Sequence, residues 1–351
     1  MPENSEDSEG LRINIPEAVA RTLTDNTHKY LASIFTTDPK TSKPIKRPGA
    51  PSIVVVLERS GAIAAAGITD FFGRHLIRDP QLIHLSHLGH ELEELCGHIF
   101  YPELPDMTDQ EFIDDFQRRF RDLASNDASP TSIQIRRLSQ LIAQLSLGDH
   151  EIQVVDDFVD QGGVNEVIMP TVVELAGKQA GLSDGHMNIT RPTADELVYR
   201  RLIEEEPHHN RFDRPSPPTS TDGKTITFSP EHSIAMLPSD PLWIDQVVEA
   251  SFGPGLTIYQ AGYLNESLRG ESDFEASPDI TPSEVAIGRG INTRGFNNQT
   301  DQLPFRANPY REVVQLLTER GLSKDEVDDY LSSLRNRLAD QIIKLTTVDF
   351  K

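Results

Sequence analysis

Two short runs dominated by β-branched residues limit what this chain can fold into: Ile53–Leu57 (IVVVL) and Glu151–Val155 (EIQVV). An apolar run with little alternation suits a strand buried on both faces, which is how parallel sheets read, whereas half-exposed antiparallel strands alternate. Each run ends in a turn carrying charge and glycine, and each turn leads into a helical pattern. After the first come Glu58-Arg59-Ser60-Gly61 and the small-residue stretch AIAAAGITDFFG, ending at Gly73. After the second come Asp156, Asp157, Asp160 and Gln161-Gly162-Gly163, then a helix from about Asn165 to Lys178. Strand, glycine turn and helix, given twice, predict an α/β fold: a parallel sheet flanked by helices, with a helical insertion and a helical C-terminal region.

The remaining elements follow from periodicity and caps. Val19, Leu23, Tyr30 and Ile34 share one face of a leading helix. A second strand is expected at Gln81–Leu85, and pieces of strand at 225–228, 233–237 and 256–260, with His186–Thr190 a weaker strand candidate. Thr108-x-x-Glu111 is a capping box for a helix with Phe112, Phe116, Phe120 and Leu123 on one side. Ser129-Pro130 opens another, with Ile133, Leu138, Leu141, Ile142 and Leu145 inward. Thr193-x-x-Glu196 and Asn308-Pro309 also read as helix starts. Ser323-x-x-Glu326 caps the final helix, whose stripe is Val327, Leu331, Leu334, Leu338, Ile342 and Leu345, suited to core or homodimer packing. The domain organisation expected is an acidic tail and leading helix over 1–28, an α/β domain over 29–195 with the insertion near 100–148, a linker and irregular lobe over 196–306, and a helical region over 307–351.

Charge excludes some partners. Lys and Arg number 33 against 55 Asp and Glu, a net charge of −22 and a pI near 4.8. A broad phosphate-binding face needs clustered cations, so nucleic acid is not an expected partner, and an anionic membrane is not either. The most basic stretch is the Pro- and Lys-rich loop 36–52, with Lys43, Lys46 and Arg47. The single cysteine, Cys96, fits a reducing compartment, and MPENSEDSEG lacks the basic-then-apolar order of a signal peptide. No apolar run approaches the ~20 residues of a membrane span. A cytoplasmic protein is the expectation.

The two turns carry the chemistry. Ligands of parallel α/β sheets bind outside the carboxyl ends of strands. Arg59 is a natural partner of phosphate oxygens. Adjacent carboxylates repel, so Asp156, Asp157 and Asp160 at one strand end call for hydroxyls or a cation to satisfy them. The glycines beyond let backbone approach a ligand closely, and N–H groups at a helix start attract anions. Acids that suit sugar hydroxyls, beside an anion cradle, describe a site for a phosphorylated ribose.

These segments resemble a known family. IQVVDDFVDQGGVNE (Ile152–Glu166) is similar to the signature of the type I phosphoribosyltransferases, and IVVVLERSGAIAAAGI (Ile53–Ile68) resembles that family's earlier strand and pyrophosphate loop. The spacing Asp-Asp-x-x-Asp-x-Gly looks most like the 6-oxopurine salvage branch. The resemblance implies transfer of phosphoribosyl from phosphoribosyl pyrophosphate (PRPP) to a nitrogenous base or another acceptor, with Mg2+ bridging pyrophosphate and ribose oxygens. It implies that Asp156 and Asp157 hold the ribose hydroxyls, and the Mg2+ through them, and that Asp160 is the general base. Gln161, Gly162, Gly163, Val164 and Asn165 would surround the 5-phosphate, and Arg59, Ser60 and Gly61 would face the pyrophosphate. Gln161 and Val164 stand where the family carries hydroxyl residues. The alternative is a noncatalytic protein of the same fold that binds a nucleotide or PRPP as a regulatory or interaction module.

Competing signals are weaker. His84, His87, His90, Cys96 and His98 are residue types that bind zinc, but HELEEL has Glu94 where a His-Glu-x-x-His helix needs its second histidine. There is no Walker A loop, no G-x-G-x-x-G after either strand and no G-x-S-x-G.

Overall fold

The computed structural model describes residues 13–57, 60–85, 88, 109–157, 163–191, 223–237, 243–252, 317–319 and 321–347. They fall into two compact units: one takes its residues from Arg21–Pro241 and Ile342–Lys351, the other from Met1–Ala20 and Leu242–Gln341.

The first unit is an α/β sheet domain. In chain order its elements are α1 (Glu17–Ile34, whose first residues belong to the second unit), β1 (Phe35–Thr37), β2 (Pro44–Lys46), β3 (Ile53–Leu57), α2 (Ser60–Ala64), α3 (Ala66–Arg74), β4 (Gln81–Leu85), α4 (Asp109–Ala124), α5 (Pro130–Gln144), β5 (Asp149–Asp156), a π-helical turn (Gly163–Ile168) running into α6 (Met169–Gln179), β6 (Met187–Ile189), β7 (Thr225–Phe228) and β8 (Ile234–Ala235). β1 and β2 form an antiparallel hairpin. The other strands make one sheet in the order β4-β3-β5-β7-β6. β8 continues the β7 side of β5: β7 pairs with Asp149–Glu151, and β8 with Val155 and Asp156. Every pairing in this sheet is parallel. As the β-branched runs predict, all of β3 is buried, and so is β5 from His150 to Val155.

The two faces of the sheet are covered differently. Ile53, Val55, Ile152 and Val154 look onto a core that includes Phe120 of α4, Leu138 of α5 and Val172 of α6. On the other face Val54 stands beside Gln153, fully buried in the middle of the sheet. The Tyr30 hydroxyl of α1 donates to Gln153 Oε1 at 2.9 Å, and Gln153 Nε2 donates to the His232 carbonyl at 2.8 Å. With both ends of the amide satisfied, a glutamine is tolerated where an aliphatic residue would be the default.

Most expected helix faces are present, with two departures. Ser129 caps α5 by accepting from the Ser132 N–H at 3.0 Å, and Ile135, Leu138 and Ile142 are buried. Ile133, expected inward, is 44% exposed. Two residues are about 200° around a helix, so Ile133 cannot share the side held by Ile135. In the last helix, α8 (Lys324–Thr346), Leu338 and Ile342 are buried, but the next position in that row is Thr346, and Leu345 lies exposed. Thr346 packs on Gly67 of α3, where a Cβ would collide with its hydroxyl.

The second unit holds α7 (Trp243–Phe252), with Trp243 and Val247 buried, and most of α8. Asn14 binds the end of α7 through its N–H to Ser251 Oγ at 2.8 Å and its amide to the Ala250 carbonyl at 3.0 Å. The expected Ser323 capping box is formed: Ser323 N–H donates to the Glu326 carboxylate at 2.7 Å, and Glu326 N–H to Ser323 Oγ at 3.3 Å. The strand at 256–260, the irregular stretch 265–306 and the helices opening at Thr193 and Asn308 lie outside the described residues. Among the described residues, no helix is long and apolar enough to cross a membrane.

Candidate functional site

Strand order creates the site. From β3 the chain moves outward to β4, then returns to place β5 on the opposite side of β3. The carboxyl ends of β3 and β5 are therefore adjacent where the winding reverses, the position at which open α/β sheets bind ligands. The register puts Val56 beside Val155, so the residues that follow each strand emerge together.

Gly61 and Asp156 meet there. A Cβ on Gly61 would stand 2.5 Å from Asp156 Oδ1, 3.2 Å from Asp156 Cα and 3.3 Å from Asp157 N. No side chain fits in that gap, so glycine is required by close approach, whatever its φ. The turn after β3 and the turn after β5 are thus in contact.

The acids are anchored from three directions. Asp157 N–H donates to Asp156 Oδ1 at 2.9 Å. The segment after β8 secures the main chain: Met236 N–H donates to the Asp156 carbonyl at 2.9 Å and Leu237 N–H to the Asp157 carbonyl at 2.7 Å. That segment is itself held by α1, through Asn26 Nδ2 to the Met236 carbonyl at 2.8 Å. The Asn165 side chain acts on the Asp156 carboxyl and pulls its pKa down, and Asn165 Oδ1 accepts from Ser233 Oγ at 3.4 Å. Asn165 is only 3% exposed and lies in the π-helical turn that opens at Gly163. Single π turns inside helices recur at functional sites.

Electrostatically, Asp156 is under strain. Burial pushes its carboxyl well above the usual carboxylate range, and the neighbouring Asp157 charge and side-chain hydrogen bond push the same way. The Asp157 N–H and the Asn165 amide pull it down and do not prevail. A cation or a hydroxyl donor reaching Asp156 would offset that cost.

Of the expected site residues, the structure brings Gly61, Asp156, Asp157 and Asn165 together. Ser60 begins α2, and Gly163 and Val164 begin the π-helical turn, so all three are placed by their backbone. Arg59, Asp160, Gln161 and Gly162 lie outside the described residues, as do His87, His90, Cys96 and His98. His84 pairs with Thr69 Oγ1 at 3.2 Å. Among the described residues, no group of three or more His, Cys, Asp or Glu is placed to hold a metal.

The basic loop is not part of this site. Lys46 bonds Asp79 at 2.6 Å, just before β4, and Arg47 Nε donates to the Ala32 and Phe35 carbonyls at 2.8 and 2.9 Å, at the end of α1. Both lie at the amino edge of the sheet, about 17 Å from the carboxyl edge for a strand of this length. Sequence reasoning missed the part played by Ser233, Met236, Leu237 and Asn26. The short apolar run IAML (234–237) signals a strand, but nothing local says that it ends against the acids.

No protein-family model, curated protein or solved structure matches this chain.

Proposed function

We propose that this chain is a phosphoribosyltransferase-like protein that binds PRPP with Mg2+ at the β3/β5 crevice and transfers phosphoribosyl to a nitrogenous base or another acceptor. The observation that carries the reading is the contact of Gly61 with Asp156 and Asp157. The two motif turns, far apart in sequence, converge at the switch point of a parallel sheet, as a ligand with a sugar and two phosphate ends requires.

The roles follow from chemistry. Carboxylates accept hydrogen bonds from vicinal hydroxyls, which suits the acid pair to ribose. The helix starts at Ser60 and Gly163 offer N–H groups to the pyrophosphate and the 5-phosphate respectively. Magnesium is held by one or two carboxylates plus substrate phosphates rather than by an all-protein cage, and two hard carboxylates at one strand end fit that donor set. When bound, it would neutralise charge on the departing pyrophosphate. In the transfer, the bond from the anomeric carbon to pyrophosphate breaks with its electron pair leaving on oxygen. The acceptor nitrogen's pair forms the new bond, and its proton passes to Asp160, the base the resemblance implies. The protein's contribution is position and electrostatics.

A binding-only protein of the same fold is the second reading. Gln161 and Val164, standing where the family carries hydroxyl residues, favour it. Titration calorimetry with PRPP and Mg2+ tests the common element: binding is expected, and a folded sample that binds nothing overturns both readings. Pyrophosphate release across a panel of bases separates them. Release that is abolished in Asp160→Asn establishes catalysis.

A further inference from the structure

A buried carboxylate and a histidine face each other behind the candidate site. We propose that Glu151 and His232 form a proton-operated latch: a charged His232 closes on Glu151 and tightens the segment that holds the Asp156 and Asp157 carbonyls, and a neutral His232 lets that segment loosen. The latch does not depend on what binds in the crevice.

Glu151 lies on β5 and is 3% exposed, and its Oε1 stands 3.6 Å from His232 Nδ1. That separation is too long for a hydrogen bond. Nδ1 is itself buried and has no hydrogen-bond partner, while the His232 side chain as a whole is 23% exposed. One ring nitrogen thus faces the carboxylate while the ring still reaches solvent, so a proton is exchanged with water without opening the fold. Histidine is the side chain whose charge ordinarily changes between about pH 5 and 8. A neutral ring offers a carboxylate little at this distance, whereas an imidazolium beside a desolvated carboxylate is strongly attracted.

Other titratable groups surround the pair. Along β5, alternation puts Asp149 on the face of Glu151 and His150 on the opposite one. His150 is engaged by Ser52 Oγ at 2.9 Å and by the Ser146 carbonyl at 2.7 Å. From α1 comes Tyr30, whose hydroxyl is bound to Gln153. From β7 comes Thr227, the register partner of Glu151, which carries no charge. Glu231, next to His232, is exposed. Of these groups only the two histidines turn positive in that pH range, and His150 is already bound through both nitrogens.

A short run of bonds joins the latch to the acids. The His232 carbonyl accepts from Gln153 Nε2 at 2.8 Å, and Ile234 and Ala235 pair with Val155 and Asp156. The Met236 and Leu237 N–H groups then donate to the Asp156 and Asp157 carbonyls at 2.9 and 2.7 Å. His232 closes a 3-10 turn of three residues, Pro230–His232. Hydrogen bonds in such turns are poorly aligned, so a charge on the last residue acts on the strand that follows.

The test is amide hydrogen exchange of the full chain at about pH 5.5 and about pH 8, corrected for the pH dependence of exchange itself, in the parent, His232→Gln and Glu151→Gln. Expected in the parent is protection of the Met236 and Leu237 amides about tenfold greater at the lower pH, with no such gain in either variant. Protection in the parent that does not change with pH overturns the latch. So does a gain that survives in His232→Gln, which would belong to Asp156 and Asp157 instead. Should Glu151→Gln fail to fold, NMR titration of the parent replaces it. The Met236 and Leu237 amide shifts are expected to move with the same midpoint as the His232 ring, and a different midpoint overturns the inference. None of these results bears on the phosphoribosyl reading, which titration with PRPP decides separately.

Discussion

Asp156 and Glu174 are acids of the same α/β unit in opposite electrostatic company. Glu174, on α6, has a side chain 18% exposed, with Lys178 at 2.6 Å, Arg121 of α4 at 3.6 Å and Arg191, beyond β6, in close contact. Burial alone would raise its carboxyl, but the Lys178 hydrogen bond and the charges of Arg191 and Lys178 outweigh that and hold it below the usual range. Asp156 has another carboxylate as its nearest charge and an amide for support, and no cation pairs with it among the described residues. One acid joins two helices and the segment after β6, and its charge is compensated three times over. The other has no cation beside it among the described residues, at the strand ends where the winding of the sheet reverses. Folding stability alone gives no reason for the second arrangement, and departures of this type concentrate where ligands bind.

Four measurements would break or sharpen that contrast. Glu174→Gln removes the anion that three cations share and should lower unfolding free energy by about 2 kcal/mol, read from urea denaturation. A loss near zero would mean that the cluster is a solvated ornament. Gly61→Ala forces a methyl group onto Asp156 Oδ1 and should cost about 1.5 kcal/mol. The cost should shrink in an Asp156→Ala background, because the clash partner is gone. Equal costs in both backgrounds would show that the two turns are not coupled.

Asp156→Asn should act in the opposite sense to Glu174→Gln and raise stability at neutral pH by about 1 kcal/mol, since it removes a poorly compensated charge while keeping the hydrogen-bonding shape. The pH dependence carries the same signature. Asp156 has a folded pKa above its unfolded value of about 3.9, so the folded state holds this proton more tightly. Its contribution is most favourable below the unfolded pKa and declines as pH rises through the raised folded value; Asp156→Asn should abolish that decline. For Glu174 the folded pKa is the lower one, so its contribution is present above the unfolded pKa and lost as pH falls through the folded value. Stability curves of the two variants should therefore depart from the parent in opposite directions. The smallest effect is expected for Lys178→Ala, about 0.5 kcal/mol or less, because that side chain is 46% exposed and its ion pair with Glu174 is screened by solvent.

The strands at Ile53–Leu57, Gln81–Leu85 and Glu151–Val155 and the caps at Ser129 and Ser323 were all legible in the residues, because burial on both faces and capping leave local signatures. Ile133 and Leu345 were misplaced for a related reason. An apolar residue near a stripe reads as part of it, whereas the helix angle and the neighbour that fills the slot decide. Gln153 shows the converse: a polar residue in a buried strand looks like an interruption until Tyr30 and the His232 carbonyl are seen to satisfy it. At the site, the acids and glycines stood out by residue type. From the sequence Asn165 reads as a phosphate contact, and its influence on Asp156 appears only in the folded chain.

What the amino-acid sequence determined by itself was the class of fold and the two turns worth attention, since periodicity, β-branching and turn chemistry act over a few neighbouring residues. Only the tertiary structure decided that β3 and β5 are adjacent with β4 outside them, that Gly61 closes on Asp156, and that the basic hairpin lies at the opposite edge. Strand order is settled by packing between segments far apart in the chain, and no local pattern encodes which buried strand will lie beside which.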